Sequence, residues 1–138
     1  MSFWVFDTDT LTLWLRGQET IVGRVAATPP QQLAVTIITL EEILGGWYTQ
    51  IRQARDDHQL ARAYQALQQA IEFTRGIHVL PFEVAGIRRY RQLRTHHRRI
   101  GTNDLRIAAI VIEQQGTLVT RNTTDFGGIP GLQLETWA

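Results

Sequence analysis

The chain has no cysteine and no lysine. Without cysteine there is no disulfide framework, no thiolate metal site and no catalytic thiol, which fits a cytoplasmic protein. Without lysine there is no Schiff-base amine and no ammonium to sit beside a phosphate, so every one of the 14 basic residues is arginine. No apolar run approaches the length of a membrane span, and no membrane association is expected. The opening MSFWVFDTDT has no basic segment followed by a longer apolar one, so it does not read as a secretory signal. Nor are there repeats or low-complexity linkers. At 138 residues with a net charge of +1, the expectation is one domain over residues 1–138, with no global basic signature for nucleic acid. The arginines are unevenly spread, however. Six lie between Arg88 and Arg99, together with His96 and His97. Arginine makes forked contacts to phosphate and carboxylate.

What is present is an alternation of short β-rich runs and longer helical patterns. Ser2–Phe6 reads as a buried strand and residues 8–27 as helical with a break near Gly17, stopped by Pro29-Pro30. Residues 33–38 form a second β-rich run. From Thr39, Leu40, Ile43, Leu44, Trp47 and Ile51 recur at helical spacing. Asp56-Asp57-His58 reads as a polar turn, and a second long amphipathic helix then runs to Gly76. His78–Phe82 is a third strand, whose Pro81 ends it or places it at an edge. Residues 83–97 and 104–115 read as helices, Thr117–Thr120 as a fourth strand, Arg121–Pro130 as a loop, and Leu132–Thr136 as a last strand. Such alternation predicts an α/β fold with a mostly parallel sheet covered on both faces. The helix pair between Trp47 and Gly76 is longer than a crossover needs, which makes it a place for a partner interface with Trp47 and Tyr48 as anchors.

The acids fall at the ends of these runs. Asp7 follows Phe3-Trp4-Val5-Phe6, Glu42 comes after the second run, Asp104 opens the helix Leu105–Ile112, and Asp125 lies just past Thr117–Thr120. In an open α/β sheet those positions share one edge, where ligands bind. Four carboxylates gathered there repel one another unless a cation intervenes, and a hard divalent metal with oxygen ligands relieves them most simply. Each acid also has a local explanation. Asp7 and Asp9 are standard helix caps. Thr39-Leu40-Glu41-Glu42 fits a capping box, and periodicity does not choose between Glu41 and Glu42. An acid at Asp104 meets a helix dipole favourably. Asp125 suits a solvated turn, and Asn122 lies closer to the strand end with an amide oxygen to offer. The neighbours His96 and His97 diverge on a helix and do not chelate one ion.

With these residues in place, nearly the whole chain resembles a PIN-domain ribonuclease of the VapC type from toxin–antitoxin systems. Three segments carry the resemblance. Phe6-Asp7-Thr8-Asp9 matches the family's Asp-Thr-Asn or Asp-Thr-Asp. Thr36 to Gly46 matches Ser/Thr-x-x-Thr-x-x-Glu-Leu-x-x-Gly, which selects Glu42. The third and most specific comprises Ile100-Gly101-Thr102-Asn103-Asp104-Leu105-Arg106-Ile107-Ala108-Ala109, Leu118 to Phe126, and Ile129-Pro130-Gly131-Leu132. The resemblance implies a PIN-like three-layer α/β/α fold with a four- to five-stranded sheet. It implies Asp7, Glu42 and Asp104 as metal-binding and catalytic acids, with Asp125 as the fourth and Asn122 as its helper. It further implies Mg²⁺ or Mn²⁺, hydrolysis of RNA (tRNA and ribosomal RNA among the family's targets), a homodimer, and inhibition by a cognate antitoxin that inserts a peptide into the acidic pocket. Arg121, Arg98 and Arg99 are the expected contacts to the RNA backbone.

Rival classes fit less well. Asp7-Thr8-Asp9 also resembles the start of a haloacid-dehalogenase phosphatase motif, but Leu11 stands where Thr or Val is wanted, and that class needs a lysine. A response-regulator receiver needs a lysine as well. A 5′-nuclease-like DNA enzyme is chemically compatible, but the chain is short for one. The non-enzymatic alternative is a catalytically silent PIN-like module that binds RNA or protein, whose mark is a missing acid.

Overall fold

The computed structural model describes residues 2–138. Five short strands form one sheet: β1 (Trp4–Phe6), β2 (Leu33–Thr36), β3 (His78–Leu80), β4 (Thr117–Val119) and β5 (Gln133–Glu135). Their order is β3-β2-β1-β4-β5 and every pairing is parallel. The expected four to five strands are therefore five, and the mostly parallel sheet is wholly parallel. Among the described residues the seven α-helices are α1 (Thr8–Leu15), α2 (Glu19–Ala26), α3 (Ile37–Gln53), α4 (Asp57–Phe73), α5 (Val84–His96), α6 (Thr102–Glu113) and α7 (Thr123–Phe126). None is long and apolar enough to cross a membrane.

Strand periodicity divides the core into two layers. Val5, Ala34, Leu80 and Leu118 face α5 and α6, where Leu105, Ile107, Ala108, Ile110 and Val111 are buried. Phe6, Leu33, Val35 and Val119 face the other way, onto Leu11, Ile21 and Trp137. Phe6 stacks edge-on with both Trp14 and Trp137, at 5.6 and 5.3 Å between ring centroids. The aromatic residues therefore supply the second layer, where α1 and α2 are too short to bury much area alone.

Several boundaries differ from the sequence expectation, each for a local reason. The break at Gly17 is real, with φ of 82° between α1 and α2. The second β run ends at Thr36 rather than residue 38, because the Thr36 hydroxyl accepts the Thr39 N–H and starts α3 at Ile37. The expected capping box from Thr39 to Glu42 does not form: Thr39 lies inside the helix and Glu42 beyond its first turn. Asp56 caps α4, so the polar turn is a helix start. That helix ends at Phe73, and a 3-10 turn over Thr74–Gly76 follows it. The segment expected as loop holds the four-residue α7, nucleated by Asn122. Pro81 does follow an edge strand, as expected, since β3 is outermost in the sheet.

Candidate active site

The sheet changes winding direction between β1 and β4: β2 and β3 lie to one side of β1, and β4 and β5 to the other. The carboxyl ends of strands at such a point are where α/β sheets bind ligands. Asp7 stands there, directly after β1, and is 5% exposed. Its Oδ1 accepts the Thr10 N–H at 2.8 Å, which makes Asp7, not Asp9, the cap of α1. Its Oδ2 accepts the Thr120 hydroxyl at 2.6 Å. The capping and functional explanations of Asp7 thus coexist. A carboxylate offers about four lone-pair positions, and two remain.

Glu42 is held from a different direction. The Thr8 hydroxyl donates to Glu42 Oε1 at 2.7 Å and lies 3.4 Å from Thr39 Oγ1. This pins α3 against the start of α1 and orients the carboxylate that the family pattern selects. Glu41 is exposed and makes no such contact. Asp104, third residue of α6, is half-buried. Burial, then the charges of Glu42, Asp7 and Asp125, push its carboxyl above the ordinary aspartate range. The four acids expected from the sequence therefore share one electrostatic neighbourhood, although they come from four separate parts of the chain. They act on one another through space without being drawn onto one point. Among the described residues no three acidic or histidine side chains stand close enough to clasp an ion as they are.

Asp125 is exposed on α7. Asn122 accepts the Asp125 N–H through Oδ1 at 3.3 Å and donates to Asp125 Oδ2 through Nδ2 at 3.1 Å. The amide that was the rival ligand is thus engaged in holding the acid. The Asn122 N–H in turn donates to the Thr120 hydroxyl at 3.0 Å, so α7 hangs from the same threonine that fixes Asp7.

Arginines flank the acids on two sides. Arg121 forms a forked pair with Asp9: Nε donates to Oδ2 at 2.8 Å and Nη2 to Oδ1 at 2.9 Å. Arg98 and Arg99 line a cleft of about 470 Å³ with His96, His97, Ile100 and Asp125. The loop that carries them is clipped by Arg94, whose Nη1 donates to the carbonyls of His97, Arg98 and Ile100 at 3.2, 3.3 and 2.8 Å. A second, more apolar groove of about 720 Å³ runs between α1 and α3, lined by Thr12, Leu15, Ile43 and Trp47, and opens onto Glu42.

Sequence reasoning missed Thr8, Thr120 and Asp9, which orient the charged groups. For Thr8 and Thr120 the available signal was a hydroxyl beside an acid motif, and for Asp9 the second carboxylate of Asp7-Thr8-Asp9; their partners lie 34, 113 and 112 residues away.

A parallel α/β sheet with acids from several elements at its switch point defines a class built to bring hard oxygen donors to a ligand. The PIN-domain family model matches residues 5–130, and the chain belongs to the PIN-domain family. Over 52 residues it is 46% identical to ribonuclease VapC2 of Rickettsia felis, a stretch covering 35% of this chain and 39% of that protein. The match therefore spans well under half of that relative. The fold is similar to DNA-bound VapBC from Salmonella typhimurium, with a TM-score of 0.80 at 22% identity over all of both chains. It is similar to VapBC2 of Rickettsia felis bound to a promoter DNA fragment, with a TM-score of 0.78 at 23% identity over 99% of each. A toxin–antitoxin complex from Klebsiella pneumoniae aligns at 27% identity with a TM-score of 0.67, over 98% of each.

Proposed function

We propose that this chain is a metal-dependent endoribonuclease, a VapC-like toxin held in check by a cognate antitoxin. The observation that carries the proposal is that Glu42, Asp7 and Asp125 all lie near enough to Asp104 for their charges to add to burial in raising its proton affinity. An all-carboxylate donor set is hard and suits Mg²⁺ or Mn²⁺ rather than a soft metal. The four acids would have to draw closer than they stand to hold it, with Asn122 keeping Asp125 in place. When bound, the ion offsets charge on the phosphoryl oxygens and makes water acidic enough to attack at neutral pH.

The chain's own residues do the rest. Thr120 and the Thr10 N–H fix Asp7, and Thr8 fixes Glu42, so two acids are oriented before any ligand arrives. Arg121, Arg98 and Arg99 hold RNA phosphates at the rim. Water then adds to the scissile phosphorus in line, the bond to the 3′-oxygen breaks, and that oxygen takes up a proton. The products are a 5′-phosphate and a 3′-hydroxyl. The apolar groove leading to Glu42 suits an inhibitory peptide of the antitoxin, and the protein works in the cytoplasm as a homodimer.

Purified protein should cleave RNA, tRNA or ribosomal RNA among the targets, with Mg²⁺ or Mn²⁺ and stop when the metal is chelated. Asp7→Asn and Asp104→Asn should each abolish cleavage with the fold intact. Cutting that persists in the Asp104→Asn protein would refute the site; a correctly folded wild type that binds RNA without cutting would indicate the silent module instead.

A further inference from the structure

The forked pair between Asp9 and Arg121 lies outside the buried core. Both side chains are about half exposed, at 51% and 52%, and ion pairs in that setting add little to stability. The pair lies at the rim of the acidic site. Arg121 follows Thr120, whose hydroxyl is bonded to Asp7, so the base of the arginine is anchored to a site acid. Asp9 occupies one edge of the guanidinium, Nε and Nη2. The other edge, Nη1 with the second Nη2 proton, makes no hydrogen bond among the described residues. A guanidinium presents five donors in a rigid plane, and a free edge of this kind matches two oxygens of a phosphodiester. The fork turns a long flexible side chain into an oriented donor.

We propose that Asp9 is a positioning residue: it holds Arg121 so that the free guanidinium edge receives an RNA phosphate next to the scissile bond. The proposal rests on the nuclease function above. Its test compares Asp9→Asn, Arg121→Gln, the double variant and Asp9→Glu. Affinity is read by anisotropy of a labelled 12-nucleotide oligouridylate in EDTA at several salt concentrations. Turnover is read on bulk transfer and ribosomal RNA with Mn²⁺. Arg121→Gln should weaken oligouridylate binding by roughly 5-fold and reduce the salt slope by about one. Asp9→Asn removes a negative charge, so its affinity should be unchanged or tighter, yet its kcat should fall by roughly 5-fold or more because the arm is no longer aimed. Since Asp9 acts only through Arg121, the double variant should be no slower than Arg121→Gln alone. Asp9→Glu should recover most of the rate, and no variant should melt appreciably lower. The proposal is overturned if Arg121→Gln binds oligouridylate as the wild type does, if Asp9→Asn turns over normally, or if Asp9→Asn slows the enzyme equally in the Arg121→Gln background. A wild type that binds oligouridylate but cuts neither RNA removes the nuclease function instead, and the affinity of Arg121→Gln then decides the phosphate contact.

Discussion

The Thr120 hydroxyl donates a 2.6 Å hydrogen bond to Asp7 Oδ2 and so joins the ends of β1 and β4 where the sheet reverses its winding. Both residues are buried, and the same hydroxyl accepts the Asn122 N–H. One threonine therefore supports two of the four acids, Asp7 directly and Asp125 through α7.

Replacing Thr120 tests that link. Thr120→Val keeps the shape but leaves a buried carboxylate oxygen and the Asn122 N–H without their partner. A cost of about 2 kcal/mol is expected, the range for hydrogen bonds to charged groups. Cleavage should fall at least tenfold, and Thr120→Ser should restore both. A Thr120→Val protein as stable and active as the wild type would remove the threonine from the site.

Asp104 gives a pH prediction with a definite sign. Its folded carboxyl titrates above the ordinary value of 3.8, so the folded chain holds the proton to higher pH than the unfolded chain. The stability this contributes is fully present below 3.8 and is lost as pH rises through the folded value. In metal-free protein, Asp104→Asn should therefore raise the melting temperature at pH 7, with the gain shrinking as the pH falls toward 3.8. Adding Mn²⁺ should stabilise the wild type and not the variant, because binding to the folded state alone shifts unfolding. A metal-free variant that melts lower at pH 7 would contradict the burial and crowding of charge at Asp104.

Glu42 and Thr36 separate function from capping. Thr36 carries the cap of α3, so Thr36→Ala should cost about 1 kcal/mol. Glu42→Gln leaves that cap intact and should abolish cleavage with little thermal shift. Thermal melts and RNA cleavage on the two variants should show opposite patterns. If Glu42→Gln instead melted lower and still cut, the carboxylate would be structural.

Asp125 and Asn122 make a comparable pair. Asn122→Ala removes the α7 cap and should cost about 1 kcal/mol, with partial loss of cleavage as Asp125 loosens. Asp125→Asn should lower cleavage more and leave the cap in place. Mn²⁺ titrations should show weakened apparent metal affinity for Asp125→Asn; unchanged affinity would shift the fourth ligand away from this residue.

The sequence by itself determined the alternation of strands and helices, the parallel sheet, its covered faces and the placing of Asp7 and Asp104 as candidate acids at a strand end and a helix start. Those follow from period-2 and period-3.6 patterns and from residues adjacent in the chain. The choice of Glu42 over Glu41, and of Asp125 as the fourth acid with Asn122 beside it, came from the family pattern, since the residues alone left both choices open. Tertiary structure decided which threonine caps α3, because Thr36 and Thr39 are equally good caps until the strand ends. It decided that α7 exists, because four residues are too few for a periodic signal. It also decided every contact that aims the site: Thr8 on Glu42, Thr120 on Asp7 and Asp9 on Arg121 span 34, 113 and 112 residues. A hydroxyl or carboxylate is chemically suited to many partners. Which one it meets is set by the winding of the sheet, which brings β1 and β4 side by side although most of the chain lies between them.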